Sequence, residues 1–470
     1  MKIEQIYTGC LSQGAYYIES DGEVAIIDPL REVAPYVEKA TKDGAKIKYI
    51  FETHFHADFV SGHLTLSKKT NAPIIYGPGA TTGFDAQNAT DGQEFPLGKV
   101  RLKVLHTPGH TMESSCYLLL DEKGNPHALF SGDTLFLGDV GRPDLAQKAA
   151  QMTQEELAGM LFDSLRNKIL PLPDSLLIYP AHGAGSACGK NLSKETVGTL
   201  GDQKNTNYAL RADMTREEFI KEVTDGLLPP PQYFPLNVKM NKEGYEDIDV
   251  ILEKGTHALS PNDFEQAANA TGAIILDVRH QSDFAKGHVP RSIFIGIDGG
   301  FAPWVGAMIG DVQHPLLLIT PEGRERETIT RLARVGFDNT IGYLKGGFQS
   351  WVAANKDIDT VKSIPAEDFK KDAALKPIFD VRKPGEYTAA RLPEATNTPL
   401  DFINEHLSAF PNQDSFYLHC AGGYRSMIAA SVLKSRGIHN LIDVQGGFGA
   451  IKATGMPIQE EVCASTLKKQ

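Results

Sequence analysis

Thr53-His54-Phe55-His56-Ala57-Asp58-Phe59-Val60-Ser61-Gly62-His63 follows directly on the β-rich run Ile47-Lys48-Tyr49-Ile50-Phe51. Two histidines one residue apart at a strand end are expected to project to the same side, and a carboxylate two residues further on can join them around a metal ion. Three later stretches set similar side chains just past β-rich runs: Thr107-Pro108-Gly109-His110-Thr111, Leu129-Phe130-Ser131-Gly132-Asp133-Thr134 and Tyr179-Pro180-Ala181-His182-Gly183. One His or Asp at a strand end commonly does no more than cap or hydrogen-bond locally. Four such elements in series point to a metal centre in a mixed α/β domain.

The chain around that domain has 470 residues, too many for one ordinary core, and a prior of roughly 150 residues per domain suggests about three. With 41% hydrophobic and 23% charged residues it has the composition of a globular protein, and no apolar run approaches the ~18 residues that span a bilayer. No membrane association is expected. The start, Met1-Lys2-Ile3-Glu4-Gln5-Ile6-Tyr7, reads as a first strand and not an export signal, which implies a cytoplasmic protein. Five cysteines without a C-x-x-C pair argue for reduced thiols. A net charge of -12 disfavours nucleic acid as a partner, because phosphate binding needs clustered Lys and Arg.

An internal repeat organises the second half. One copy runs from Ala273-Ile274-Ile275-Leu276-Asp277-Val278-Arg279 to Lys345-Gly346-Gly347-Phe348, the other from Pro377-Ile378-Phe379-Asp380-Val381-Arg382 to Val444-Gln445-Gly446-Gly447-Phe448. The Pro-rich Leu227-Leu228-Pro229-Pro230-Pro231-Gln232 and the charged stretch from Lys239 to Glu253 read as a linker. Three domains are therefore expected, at 1–240, 255–355 and 362–465, the last two being α/β units with mainly parallel sheets.

The four N-terminal elements, in their order, resemble the metallo-β-lactamase superfamily, whose fold is an αββα sandwich with metal at one edge of the sheets. The superfamily's H-x-H-x-D-H motif ends here in Phe59, which cannot ligate, and this favours one metal over two. Two histidines and one carboxylate form the facial triad of non-heme Fe(II). The resemblance is then to the persulfide dioxygenase branch, which implies one Fe(II) per chain on His54, His110 and Asp133, with His56, Asp58 and His182 orienting those ligands. Gly141-Arg142-Pro143-Asp144 resembles the stretch whose arginine binds the substrate carboxylate in that branch, and pairing of Arg142 with Asp144 or Asp139 is the equal alternative. Ala184 stands where glutathione-using members carry a tyrosine, which leaves the thiol open. Cys188 reads either as a sulfur relay or as a small residue filling a loop.

In the second repeat Phe416-Tyr417-Leu418-His419 leads into Cys420-Ala421-Gly422-Gly423-Tyr424-Arg425-Ser426. Gly422 and Gly423 let backbone N–H groups curl around the sulfur and stabilise its anion. C-x-x-G-x-R-S between Asp-Val-Arg and Gly-Gly-Phe resembles the rhodanese sulfurtransferases, which implies Cys420 as sulfur carrier and Arg425 as helper for anionic donors. The first repeat resembles them too, with Gly287-His288-Val289-Pro290, yet it places Thr320 at the cysteine position, and its Glu322 and Glu325 would repel an anion. It reads as a silent copy.

Together these features imply a homo-oligomeric sulfide-detoxifying enzyme. It would oxidise a low-molecular-weight thiol persulfide with oxygen to sulfite and thiol, and pass sulfur between persulfide and sulfite or thiosulfate. The alternative is a di-zinc glyoxalase II-like thioester hydrolase with rhodanese-like docking or sensing modules.

Overall fold

In the computed structural model, which describes residues 1–190 and 192–461, the strand Gln13–Ser20 divides its side chains between two cores. Tyr16 and Ile18 face one, Ala15 and Tyr17 the other, as the two-residue strand period requires. The first core is filled from two six-stranded sheets, Phe51 and Ile75 meeting Leu102, Tyr117 and Phe130. Helices Ala34–Lys42 and His63–Thr70 cover the outer face of the first sheet with Tyr36, Ala40 and Leu66. Helices Gln154–Ser164 and Arg216–Thr224 cover the second with Ala158, Leu161, Phe219 and Val223. This is the αββα sandwich.

Strand direction gathers the loops that matter. Val100–His106 and Pro126–Gly132 are both antiparallel to Ser115–Leu120 and so run the same way, and Leu177–Pro180 is parallel to Pro126–Gly132. Their C-terminal ends, which carry His110, Asp133 and His182, therefore share one sheet edge. Ser115 N–H donates to the Thr53 carbonyl (2.9 Å) and ties in the loop after Lys46–Phe51 from the other sheet.

The chain separates into two compact units. One comprises Met1–Ile251 with Ile309–Val312 and Thr330–Asp338, and the other holds most of both repeats. Each repeat nevertheless builds its own five-stranded sheet with the same strand order. The strands are Ala258–Leu259, Thr340–Leu344, Leu316–Ile319, Ile274–Asp277 and Ile293–Phe294 in the first, and Ser363–Ile364, Leu441–Val444, Phe416–His419, Ile378–Asp380 and Ala395–Asn397 in the second. All pairings in both sheets are parallel. The repeated Asp-Val-Arg and Gly-Gly-Phe motifs are structural. Arg279 pairs with Asp277 (2.6 Å) and lies 4.3 Å from the Phe348 ring centre, and Arg382 pairs with Asp380 (2.6 Å) 3.9 Å from that of Phe448.

Among the described residues no helix is long and apolar enough to cross a membrane. Cys10, Cys116, Cys188 and Cys420 are free thiols, while Cys463 lies outside the described residues.

Candidate metal centre and cysteine loop

His54, His110 and Asp133 are all buried, and one donor atom from each falls within 4.8 Å of the others. Asp133 Oδ2 lies 3.4 Å from His110 Nε2 and 3.8 Å from His54 Nε2. Gly132 makes this possible: it has a φ of 54°, and a Cβ there would come within 2.7 Å of the Thr53 Cβ.

The hydrogen bonds behind the ligands set their tautomers. His110 Nδ1–H donates to the Arg142 carbonyl (2.8 Å), and His182 Nδ1–H donates to that of Ser12 (3.2 Å). The Thr53 hydroxyl donates to Asp28 (2.9 Å) and so accepts the Nδ1–H of His54 (3.0 Å). With Nδ1 so engaged, each ring turns Nε2 toward Asp133. Burial, then the neighbouring His56, His110 and His182, hold the His54 pKa well below its usual value, so its ring is neutral.

Both oxygens of Asp133, His182 Nε2 and Asp58 Oδ1 are buried without a hydrogen-bond partner among the described residues. Unsatisfied buried acceptors of this kind cost of order 1–3 kcal/mol each, more for charged groups, and a cation in their midst removes the cost. The residues fit a metal.

His56 groups with Asp58 and His182 within 4.8 Å, and its ring centre is 4.2 Å from that of His54. His54 and His56 lie in a loop beyond the strand, and His56 Nε2 faces Asp28 (3.1 Å) and Glu52 (3.5 Å). Burial opposes its charge, but the Asp28 and Glu52 carboxylates prevail and raise its pKa to about 9. Phe59 packs against it with the rings tilted by 37° and their centres 4.3 Å apart. His182 Nε2 sits between Asp58 (3.4 Å) and Asp133 (3.6 Å). The sulfur of Cys188 joins Asp133 and His182 within 4.8 Å, and burial, with the charges of Asp58 and Asp133, pushes this thiol well up.

Arg142 is placed by the structure on Asp144, with Nε and a terminal nitrogen each 2.7 Å from its oxygens, and on the carbonyls of Ala187 and Leu228. Sequence reasoning missed the support beneath the metal: Asp28, which binds both N–H and O–H of Thr53, and Glu52, which accepts from Ser61 and faces His63 (3.4 Å). An aspartate ending the run Val24-Ala25-Ile26-Ile27 was the available signal.

In the second repeat the Gly423 N–H donates to Cys420 Sγ at 3.1 Å, just before helix Tyr424–Ser435. Gly422 is exposed beside it. Both terminal nitrogens of Arg425 pair with Glu386, at 2.6 and 2.8 Å. In the first repeat Thr320 occupies the matching strand end, and Glu325 does more than repel an anion. Its carboxylate accepts the Gly323 N–H and the Thr320 hydroxyl, both at 3.2 Å, so it fills the cradle itself.

Residues 8–182 match the Metallo-beta-lactamase superfamily, and residues 260–354 and 365–454 each match the Rhodanese-like domain. Persulfide dioxygenase ETHE1, mitochondrial, of Homo sapiens is 30% identical over 224 residues, 47% of this chain and 78% of the relative. The chain belongs to the metallo-beta-lactamase superfamily. A probable hydroxyacylglutathione hydrolase of Schizosaccharomyces pombe is 29% identical over 219 residues, 45% of this chain and 80% of that protein. The crystal structure of a metallo-beta-lactamase from Staphylococcus aureus subsp. aureus COL covers 73% of this chain and 99% of its own, at 32% identity and a TM-score of 0.65. The metallo-beta-lactamase domain thus has relatives named for two different chemistries, and two rhodanese-like domains follow it.

Proposed function

We propose that this chain is a non-heme iron persulfide dioxygenase joined to a sulfurtransferase, with domains at 1–240, 255–355 and 362–465. The carrying observation is the buried group of two histidines and one aspartate, His54, His110 and Asp133, whose donor atoms lie within 4.8 Å of one another. Similarity to a persulfide dioxygenase supports the reading. An iron held by His54, His110 and Asp133 would supply a redox-active Lewis acid for a sulfur anion and oxygen. The chain's own groups do the rest. Asp28 and Thr53 orient His54, and the Arg142 carbonyl orients His110. Overall R-S-SH, O2 and H2O give R-SH and sulfurous acid, the persulfide's outer sulfur being oxidised. Cys420, as a persulfide, passes its outer sulfur to sulfite, which leaves the Cys420 thiolate and thiosulfate. The proposed setting is sulfide detoxification.

The second reading, a two-zinc thioester hydrolase, is favoured by the placement of His182 between Asp58 and Asp133. One experiment separates the two. Iron-loaded protein is given cysteine, glutathione and coenzyme A persulfides while oxygen, sulfite and thiosulfate are measured. Oxygen uptake with sulfite release supports the dioxygenase. Two zincs per chain, thioester cleavage and no oxygen uptake would replace it with the hydrolase.

A further inference from the structure

A cavity of about 440 Å³ lies between the two repeats, within the roughly 300–1,000 Å³ range of small-molecule sites. The active repeat supplies Gly422, Gly423 and Asp443, and the silent repeat supplies His280 and Lys286. The sulfur of Cys420 is one hydrogen bond from this lining, since it accepts the N–H of Gly423.

The walls are held in register. Tyr424 donates its hydroxyl to the Gly296 carbonyl (2.7 Å), Phe294 N–H donates to Ser431 (3.0 Å), and Lys434 pairs with Asp359 (3.1 Å). The helix Gln281–Lys286 is pinned by the Val361 N–H on the Ala285 carbonyl (2.9 Å). His280 accepts the Ser282 N–H on Nδ1, which leaves its proton on Nε2 as a donor. Lys286 is exposed and makes no ion pair among the described residues.

Charge is distributed unevenly in this cavity. The donor and the cation belong to the silent repeat, whereas the active repeat contributes the buried carboxyl of Asp443, held by Ser426 and Ser363 at 2.7 Å each. Beside the sulfur, Arg425 is already paired with Glu386, so the cation left open in this lining is Lys286. A molecule whose acid group is remote from its sulfur reaches it.

We propose that this cavity binds the organic part of an acid-bearing low-molecular-weight persulfide, with its carboxylate at Lys286 and His280 and its sulfur at Cys420. The silent repeat thereby sets which sulfur carrier the active one uses. This rests on the reading of Cys420 as a sulfur carrier. The transfer balances without a further reactant: the Cys420 thiolate attacks the outer sulfur of R-S-SH, the new S–S bond forms as the old one breaks, and R-S⁻ leaves and takes up a proton from water.

The test separates binding from chemistry. The S-methyl thioethers of cysteine, N-acetylcysteine and glutathione are titrated calorimetrically into the full chain carrying C420S. Saturable binding of the glutathione derivative is expected, weakened about tenfold by K286E and restored by K286R. No saturable binding of any of the three overturns the proposal. In wild-type Cys420 protein, K286E is expected to raise the KM for glutathione persulfide about tenfold at unchanged kcat, with the thiosulfate KM moving less than about twofold. Equal changes for both donors would make Lys286 a general anion attractor and overturn it, as would no change for either. If wild-type protein forms no cyanide-labile Cys420 persulfide from any donor, the sulfur-carrier reading falls, and the thioether titration still reports on the cavity.

Discussion

The Arg142 carbonyl accepts the Nδ1–H of His110 at 2.8 Å, so the residue whose guanidinium was a candidate substrate anchor contributes to the metal centre through its backbone. That bond needs close packing. Gly141, just before it, has space for no side chain: a Cβ there would stand 2.0 Å from the Asp133 carbonyl oxygen and 3.0 Å from His110 Nδ1.

Gly141→Ala is therefore expected to displace both ligands while leaving every ligating side chain in place. Metal affinity falls by roughly 10–100-fold, the range seen when groups orienting ligands are lost. Competition with a chelator, followed by metal analysis of the folded protein, measures it. An alanine variant that holds metal as tightly as wild type would show that the backbone here moves freely.

Metal counting separates the roles expected for Asp58 and Asp133. With one metal on His54, His110 and Asp133, Asp133→Asn empties the site. Asp58→Asn keeps one metal per chain and loses roughly 10–100-fold in activity, because Asp58 acts through His182, 3.4 Å away. If Asp58→Asn lowered the count from two to one, the hydrolase reading would gain.

Much of this was legible because the informative residues are close in sequence. The turns holding His54, His110, Asp133 and His182 each follow a strand, and the repeats announce themselves by Asp-Val-Arg and Gly-Gly-Phe at matching spacing. What was not legible depends on distant partners. That His56 Nε2 would face Asp28, at 3.1 Å, could not be read from the motif. Glu325 was visible as a negative charge near the silent loop, but that its carboxylate closes back onto the Gly323 N–H is a property of the folded turn. Arg142 offered two partners in sequence, and Asp144, two residues away, has it in the structure.

The plugged cradle yields a two-step expectation. T320C alone places a thiol at the matching strand end, but the Gly323 N–H remains bound to Glu325, and the new thiol stays weakly reactive. T320C/E325A frees that N–H and removes an adjacent negative charge, two changes that favour a thiolate. Alkylation by iodoacetamide in a C420S background should be roughly tenfold faster in the double variant. Equal rates would mean that the Glu325 carboxylate does not set the reactivity of a thiol at this position.

Asp443 makes the second repeat sensitive to pH. Burial raises its carboxyl to about 6, against the lowering effect of the Ser426 and Ser363 hydroxyls. A carboxyl with a raised folded-state pKa favours folding while protonated, and this advantage is lost as pH climbs through about 6. Asn at this position keeps two hydrogen-bonding heads and never ionises. D443N should therefore gain stability relative to wild type by about 2 kcal/mol between pH 4.5 and 7.5. Denaturant unfolding of both proteins at the two pH values, followed through the melting of the repeats, gives the difference directly. A difference that stays constant with pH would place the Asp443 carboxyl in the ordinary range, ionised throughout and stabilised by its two serines.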